Sequence, residues 1–413
     1  MEAASRSRCD SPGAIRGEVA RLLHTLPAPT AFQLTVSVWL AGAFVAVACC
    51  ASAVPAYAQA AEPSVNQPAT PSPTESGIVG FFGQTAVTGF ADAYYGWRFN
   101  KQDALLRNFD VDHNALSLNM VEIAFDKTPV ADSRVGFRLD LTGGPASALV
   151  NALEPGEAGY LQTFQQAYVS YLAPVGSGLQ IDAGKFVTPA GAETIETRDN
   201  WNYSRSFLFA LAIPYYHMGV RTAYRVNAAT TVTGYLVSGW NDVVDNNRSK
   251  SAGLSVGFKP NASWALTQTY FAGKEQAGDA DGGVRQLFDT VVSFTATPKL
   301  SLLGNVDYGR DAVDGVDVAW YGIATYLKYQ ATDRWAFSPR YEWFSDADGF
   351  ATSVEQRLQS VTLTGEYKMA GVITRLEWNT GWSGQRVFDN GGVNLKKTQS
   401  SLVLGVLYAF SSK

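Results

Sequence analysis

The chain has 413 residues and a slight acidic excess, 32 Lys+Arg against 37 Asp+Glu, and no basic tract that would suit a nucleic acid. Its 19 Tyr, 22 Phe, 10 Trp and 38 Gly favour strands and tight turns over helices. The three cysteines, Cys9, Cys49 and Cys50, all lie near the amino terminus. A disulfide framework, a thiolate metal site and a cysteine nucleophile are therefore excluded from everything downstream.

In chain order, Arg6, Arg8, Arg16 and Arg21 precede an apolar stretch at 32–55, which runs into the small-x-small triplet Ala56-Tyr57-Ala58. This is the layout of a secretory signal cleaved after Ala58. A retained membrane anchor is the alternative, but a Pro- and Ala-rich spacer stands where a stop-transfer segment would carry basic residues. The 31 residues ahead of the apolar run are long for a signal and read as an extended leader or a start codon assigned too early. Residues 1–58 are thus expected to be a signal peptide and 59–84 a Pro/Ser-rich periplasmic spacer. Residues 85–413 would form one outer-membrane domain.

From residue 85 onward the pattern has period two. The clearest segment places Trp335, Phe337, Pro339, Tyr341 and Trp343 on one face and Ala336, Ser338, Arg340 and Glu342 on the other. Such a strand has one face in an apolar medium and one in water. Val135, Phe137, Leu139 and Leu141 alternate likewise with Arg134, Gly136, Arg138 and Asp140, and Leu402, Leu404, Val406, Tyr408 and Phe410 alternate with small residues. Near Met120 and Val121 the phase switches, as at a β-bulge. Sixteen such segments are expected, at 87–99, 114–126, 133–142, 164–173, 179–186, 217–226, 230–240, 251–259, 263–272, 286–296, 300–309, 317–329, 334–344, 357–368, 371–380 and 398–410.

Short connections (226–229, 259–262, 297–299, 330–333, 368–371) interleave with long ones (142–163, 187–216, 273–285, 345–356, 381–397). The fold expected is all-β: a single transmembrane antiparallel β-barrel of about 16 strands, with short periplasmic turns, long external loops and both termini inside. A soluble sandwich or propeller shares the alternation. Its packed core would not tolerate so many charges on inward faces, and here aromatics sit near segment ends as in interfacial girdles.

The run from Gly184 reads Gly-Lys-Phe-Val-Thr-Pro-Ala-Gly-Ala-Glu, followed by Asn202-Tyr203-Ser204-Arg205-Ser206-Phe207-Leu208-Phe209 and Ile213-Pro214. Gly219-Val220-Arg221, Ser238-Gly239-Trp240-Asn241 and the closing Leu404-Gly405-Val406-Leu407-Tyr408-Ala409-Phe410 come later. Across essentially all of 85–410 this resembles the putative β-barrel porin-2 (OmpL-like) family of bacterial outer-membrane proteins. The resemblance implies an outer-membrane location and passage of small solutes, without naming one. The chain departs from it by ending Ser411-Ser412-Lys413, where a terminal Phe is typical, and by Ser238, where Asn commonly precedes Gly-Trp.

A barrel of this size leaves an aqueous lumen, and passage is decided at its narrowest point. The third long loop, 187–216, is expected to fold inward as the constriction, presenting Glu193, Glu196, Arg198 and Arg205. Structureless loops this long are uncommon unless functional; an external loop shielding the mouth is the alternative. Arg134, Arg138, Lys185, Arg221, Arg340 and Glu342 are the wall candidates, either as opposed charge rings or as paired charges stiffening the barrel. Basic residues in the first half favour anions. Gly405, Tyr408 and Phe410 are the expected assembly signal.

Only His113 and His217 lie beyond the leader, and no Gly-x-Ser-x-Gly or phosphate loop occurs, so no enzyme is expected, and neither a cofactor nor a metal. Expected partners are outer-membrane lipid and lipopolysaccharide, the barrel-assembly machinery and small polar or anionic solutes, with a homotrimer left open. A non-conducting structural or adhesive barrel remains the alternative function.

Overall fold

The structure, a computed structural model, describes residues 83–154, 162–278, 282–391 and 394–412. The expected signal and nearly all of the spacer lie outside these described residues. The strands are β1 (Ala86–Arg98), β2 (Ala115–Lys127), β3 (Val135–Gly143), β4 (Phe164–Ala173), β5 (Leu179–Val187), β6 (Tyr216–Arg225), β7 (Thr230–Val237) and β8 (Ser251–Phe258). They continue as β9 (Trp264–Gly273), β10 (Arg285–Thr297), β11 (Leu300–Val313), β12 (Val316–Gln330), β13 (Trp335–Asp346), β14 (Gln356–Met369), β15 (Val372–Ser383) and β16 (Thr398–Ser411). A six-residue helix, α1 (Pro145–Val150), follows β3.

Each strand pairs antiparallel with its predecessor, and β1 pairs with β16 from Thr88↔Ser411 to Arg98↔Ser401, closing the sheet. Closure removes the two sheet edges, whose backbone donors and acceptors would otherwise face hydrocarbon unpaired. The sixteen expected segments are all present, with ends shifted by a few residues.

Alternation sets the two faces. In β13, Trp335, Phe337 and Tyr341 are exposed on the outside while Ala336, Ser338, Arg340 and Glu342 are buried. In β16, Leu402, Leu404, Val406, Tyr408 and Phe410 face out. The phase switch in β2 is a bulge. Asp92 pairs with Met120 and Ala93 with Leu118, so Asn119 is the extra residue, and Asn119 and Met120 both turn inward. A second bulge, in β4, leaves Gln165 unpaired between Phe164 and Gln166.

The loops at the end opposite the termini are L1 (99–114), L2 (144–163), L3 (188–215), L4 (238–250), L5 (274–284), L6 (314–315), L7 (347–355) and L8 (384–397). The short–long rhythm breaks once, at L6. There β11 and β12 run on as strands and meet in a two-residue turn, Asp314-Gly315, with φ of 51° and 78°. Asp-Gly supplies the two left-handed residues of a type I′ hairpin, whose twist matches the flanking strands.

Candidate pore eyelet

L3 does not stay at the mouth. From Val187 it enters the lumen, makes a tight turn at Thr197–Asp199 and a wide turn at Leu208–Ala212, and returns at Tyr216. Its apolar side chains supply the driving force. Phe207, Leu208, Phe209 and Ala212 are buried with Trp320, Phe344 and Leu358 of β12–β14 and with Phe109 of L1. The loop is thus one layer of a packed core inside the barrel.

Polar contacts fix the loop's backbone, because buried N–H and C=O groups must find partners. Arg205, fully buried, donates to the carbonyls of Thr194 (2.8 Å), Tyr203 (2.6 Å) and Ile195 (2.7 Å), tying the loop to itself. Arg340 reaches in from β13 to Glu193 (2.8 Å) and to the Ser204 carbonyl (2.7 Å). The Glu342 carboxylate accepts from the Phe207 N–H and from Arg107 of L1 (3.1 Å). Glu377 of β15 accepts the N–H groups of Tyr203 (2.7 Å) and Ser204 (3.1 Å). Asp92 of β1 accepts the Tyr203 hydroxyl (2.8 Å) and the Thr197 hydroxyl (2.7 Å). Arg375 of β15 donates to the Thr197 carbonyl (2.7 Å). The loop is therefore held from β1 and β13–β15, across the lumen from the strands that carry it.

L3 leaves part of the lumen open. A cavity of about 400 Å³ lies between L3, which lines it from Pro189 to Asp199, and a wall carrying Arg138, Arg221, Thr233, Ser255 and Ser293. A second cavity, of about 500 Å³, lies below it toward the short turns. Both are lined by Arg198 and Asp199 at the loop tip and by Ala265 and Ser293 on the wall. The two cavities adjoin between that tip and the β9–β10 wall, which is the candidate eyelet.

Charge around the eyelet is mostly paired. Arg138 is held by Asp140 (2.8 Å) and Arg221 by Asp182 (2.8 Å), both on the wall. Arg221 also packs over the Tyr168 and Phe186 rings, 4.9 and 4.8 Å from their centroids. On the loop, Arg198 bridges Glu122 of β2 (2.8 Å) and Asp199 (3.2 Å). Burial pushes the Glu196 carboxyl above the ordinary glutamate range, with Asp199 and Asp140 adding to the rise and Arg198 opposing it.

Of the residues singled out in the sequence, Arg138, Glu193, Glu196, Arg198 and Arg221 line the upper cavity together. Arg205, Arg340 and Glu342 gather behind the loop, buried, where they bind its backbone. Arg134 lies apart, at the short-turn end, donating to the Leu172 carbonyl (3.0 Å). Lys185 is also apart, buried between Asn151 (2.5 Å) and the Tyr216 ring. Tyr408 and Phe410 face outward, whereas Gly405 faces in, and a Cβ there would stand 2.2 Å from the Tyr203 ring.

Sequence reasoning missed Asp92, Arg107, Arg375 and Glu377 as loop anchors, and Lys328 and Lys368 as lumen cations. For Lys328 the signal was present: the alternation that turns Tyr321 and Tyr329 outward turns Lys328 inward. Arg107 lies in an external loop without periodicity and had no such signal.

A family model described as putative beta-barrel porin-2, OmpL-like, matches residues 84–410. Comparison with curated proteins gives no match. Among solved structures, the anion-selective porin from Comamonas acidovorans superposes with a TM-score of 0.54 at 12% identity, over 79% of this chain and 99% of that one. The trimer form of OmpT from Vibrio cholerae gives 0.54 at 12% identity, over 79% and 99%. The channel DcaP of Acinetobacter baumannii gives 0.53 at 12%, over 79% and 97%. At these identities the likeness is one of fold.

Proposed function

The chain belongs to the putative β-barrel porin-2, OmpL-like family and resides in the outer membrane; from that premise we propose that it is a passive, non-enzymatic channel for small polar solutes, favouring anions. The observation that carries the reading is the pair of cavities that share Arg198 and Asp199 of the L3 tip in their linings, space left beside a loop that fills only part of the lumen. Cations lining the cavity just below the narrowing, Lys259, Lys328, Lys368 and Arg375 among them, raise the local concentration of anions.

The refolded barrel inserted into a planar bilayer is expected to give discrete conductance steps in KCl, with a reversal potential favouring chloride in a salt gradient. Absence of steps at every salt concentration would refute the channel and favour a structural or adhesive barrel. The trimer form of the OmpT neighbour supports a homotrimer for this chain as well. Threefold steps in single insertions, with a matching mass in detergent, test it. A leader cleaved after Ala58 belongs to the same proposal, and terminal sequencing of the mature protein from Gln59 checks it.

A further inference from the structure

The lower cavity has a composition that the passage of small polar solutes in general does not require. Arg198, Lys259, Lys328, Lys368 and Arg375 all line its roughly 500 Å³, with Asp199 as the one carboxylate on the lining. Behind the lining stand two buried carboxylates: Glu122, paired with Arg198 at 2.8 Å, and Glu366 of β14. Glu366 faces three cations: Arg375 at 2.8 Å, Lys368 at 3.3 Å and Lys328 at 3.8 Å. Arg375 holds it with two guanidinium nitrogens, so the two lysines sit at the longer distances with charge left over. Lys259, at the β8–β9 turn, has no carboxylate partner among the described residues.

The upper cavity differs. There Arg138 and Arg221 are neutralised by Asp140 and Asp182 on their own wall. The uncompensated positive charge of the lumen is therefore below the eyelet, between L3 and the short turns.

Building on the channel reading, we propose that this lower vestibule is a binding site for compact multivalent oxyanions, solutes with two or more negative charges such as a diphosphate or a polycarboxylate. Lys328, Lys368 and Lys259 supply charge from the β12, β14 and β8–β9 rim, with Arg198 and Arg375 beside them. Two or three lysines around one cavity bind a polyvalent ion as point charges. A monovalent anion engages only part of that charge.

Single channels in about 0.1 M KCl, where the Debye length is about 10 Å, test the site with inorganic pyrophosphate as probe and acetate as the monovalent control. Pyrophosphate is expected to interrupt the chloride current at a concentration about tenfold below that of acetate. In Lys328→Gln/Lys368→Gln the half-blocking concentration of pyrophosphate should rise about tenfold, and in Lys250→Gln, on external L4, it should stay at the wild-type value. Lys368→Gln alone, which leaves the Arg375–Glu366 pair intact, should raise it about threefold, and serves if the double variant does not refold. Equal block of wild type and lysine variants, or equal block by acetate and pyrophosphate, overturns the site while leaving the channel standing. Absence of chloride steps in the wild type overturns the channel itself and the site with it.

Discussion

At the scale of the residue, Arg340 is the side chain on which the eyelet most depends. It is fully buried and joins Glu193 of the loop to Glu342 of the wall. Removing one partner of such a cluster leaves uncompensated buried charge, at a cost of about 3–5 kcal/mol. Arg340→Ala is therefore expected to free L3 and widen the pore, read as a larger unitary conductance and a lower urea midpoint. Gly405 makes a sharper test, because its two faces have different duties. The lipid side of β16 is untouched by Gly405→Val, but the new side chain would meet the Tyr203 ring. The variant should still assemble, with normal heat-modifiable gel mobility, yet conduct differently. Failure to assemble would return Gly405 to the assembly signal alone. Glu196 gives the pH dependence. Its carboxyl sits above the ordinary range, so it takes up a proton at a pH where an exposed glutamate stays ionised. Lowering the pH through the range in which Glu196 takes up its proton removes negative charge from the loop while the arginines keep theirs. Anion preference should rise, and Glu196→Gln should abolish most of that rise in reversal-potential measurements.

At the scale of the element, the strands were legible because lipid and water impose opposite demands on alternate residues, and that signal accumulates over ten or more positions. Even the irregularity in β2 showed, as two consecutive inward residues, Asn119 and Met120. The extent of β11 and β12 did not, since Asp311 to Asp317 reads as a polar loop until its Asp-Gly turn is placed. A Gly315→Val substitution should penalise that hairpin by about 1–2 kcal/mol, because a β-branched residue resists the left-handed region. A lowered urea midpoint at constant m-value checks it. L3 was legible as a constriction from its length and the run at 184–193. Its individual partners were not. The pairs Arg107–Glu342 and Arg340–Glu193 join residues 235 and 147 apart in sequence, and no local pattern encodes which inward carboxylate meets which loop arginine. The sequence offered Arg205, Arg340 and Glu342 as constriction candidates, and nothing in its local pattern shows that they lie behind the loop, bound to its backbone.

At the scale of the whole molecule, the interior is divided by L3, which packs against β12–β14 and leaves cavities between itself and the wall above and below its tip. L3 also spans the tube, with bonds to β1, β2 and β11–β15 at points far apart on its circumference. A cylinder one strand thick flattens easily under lateral load, and a tie fastened to several points of its wall resists ovalisation as a bulkhead stiffens a hull. The loop that narrows the bore then also keeps the bore round, and its aperture has no separate hinge on which to swing. Current through the open state should accordingly be steady, with low excess noise, and flux should follow solute size and charge without intermittent closure.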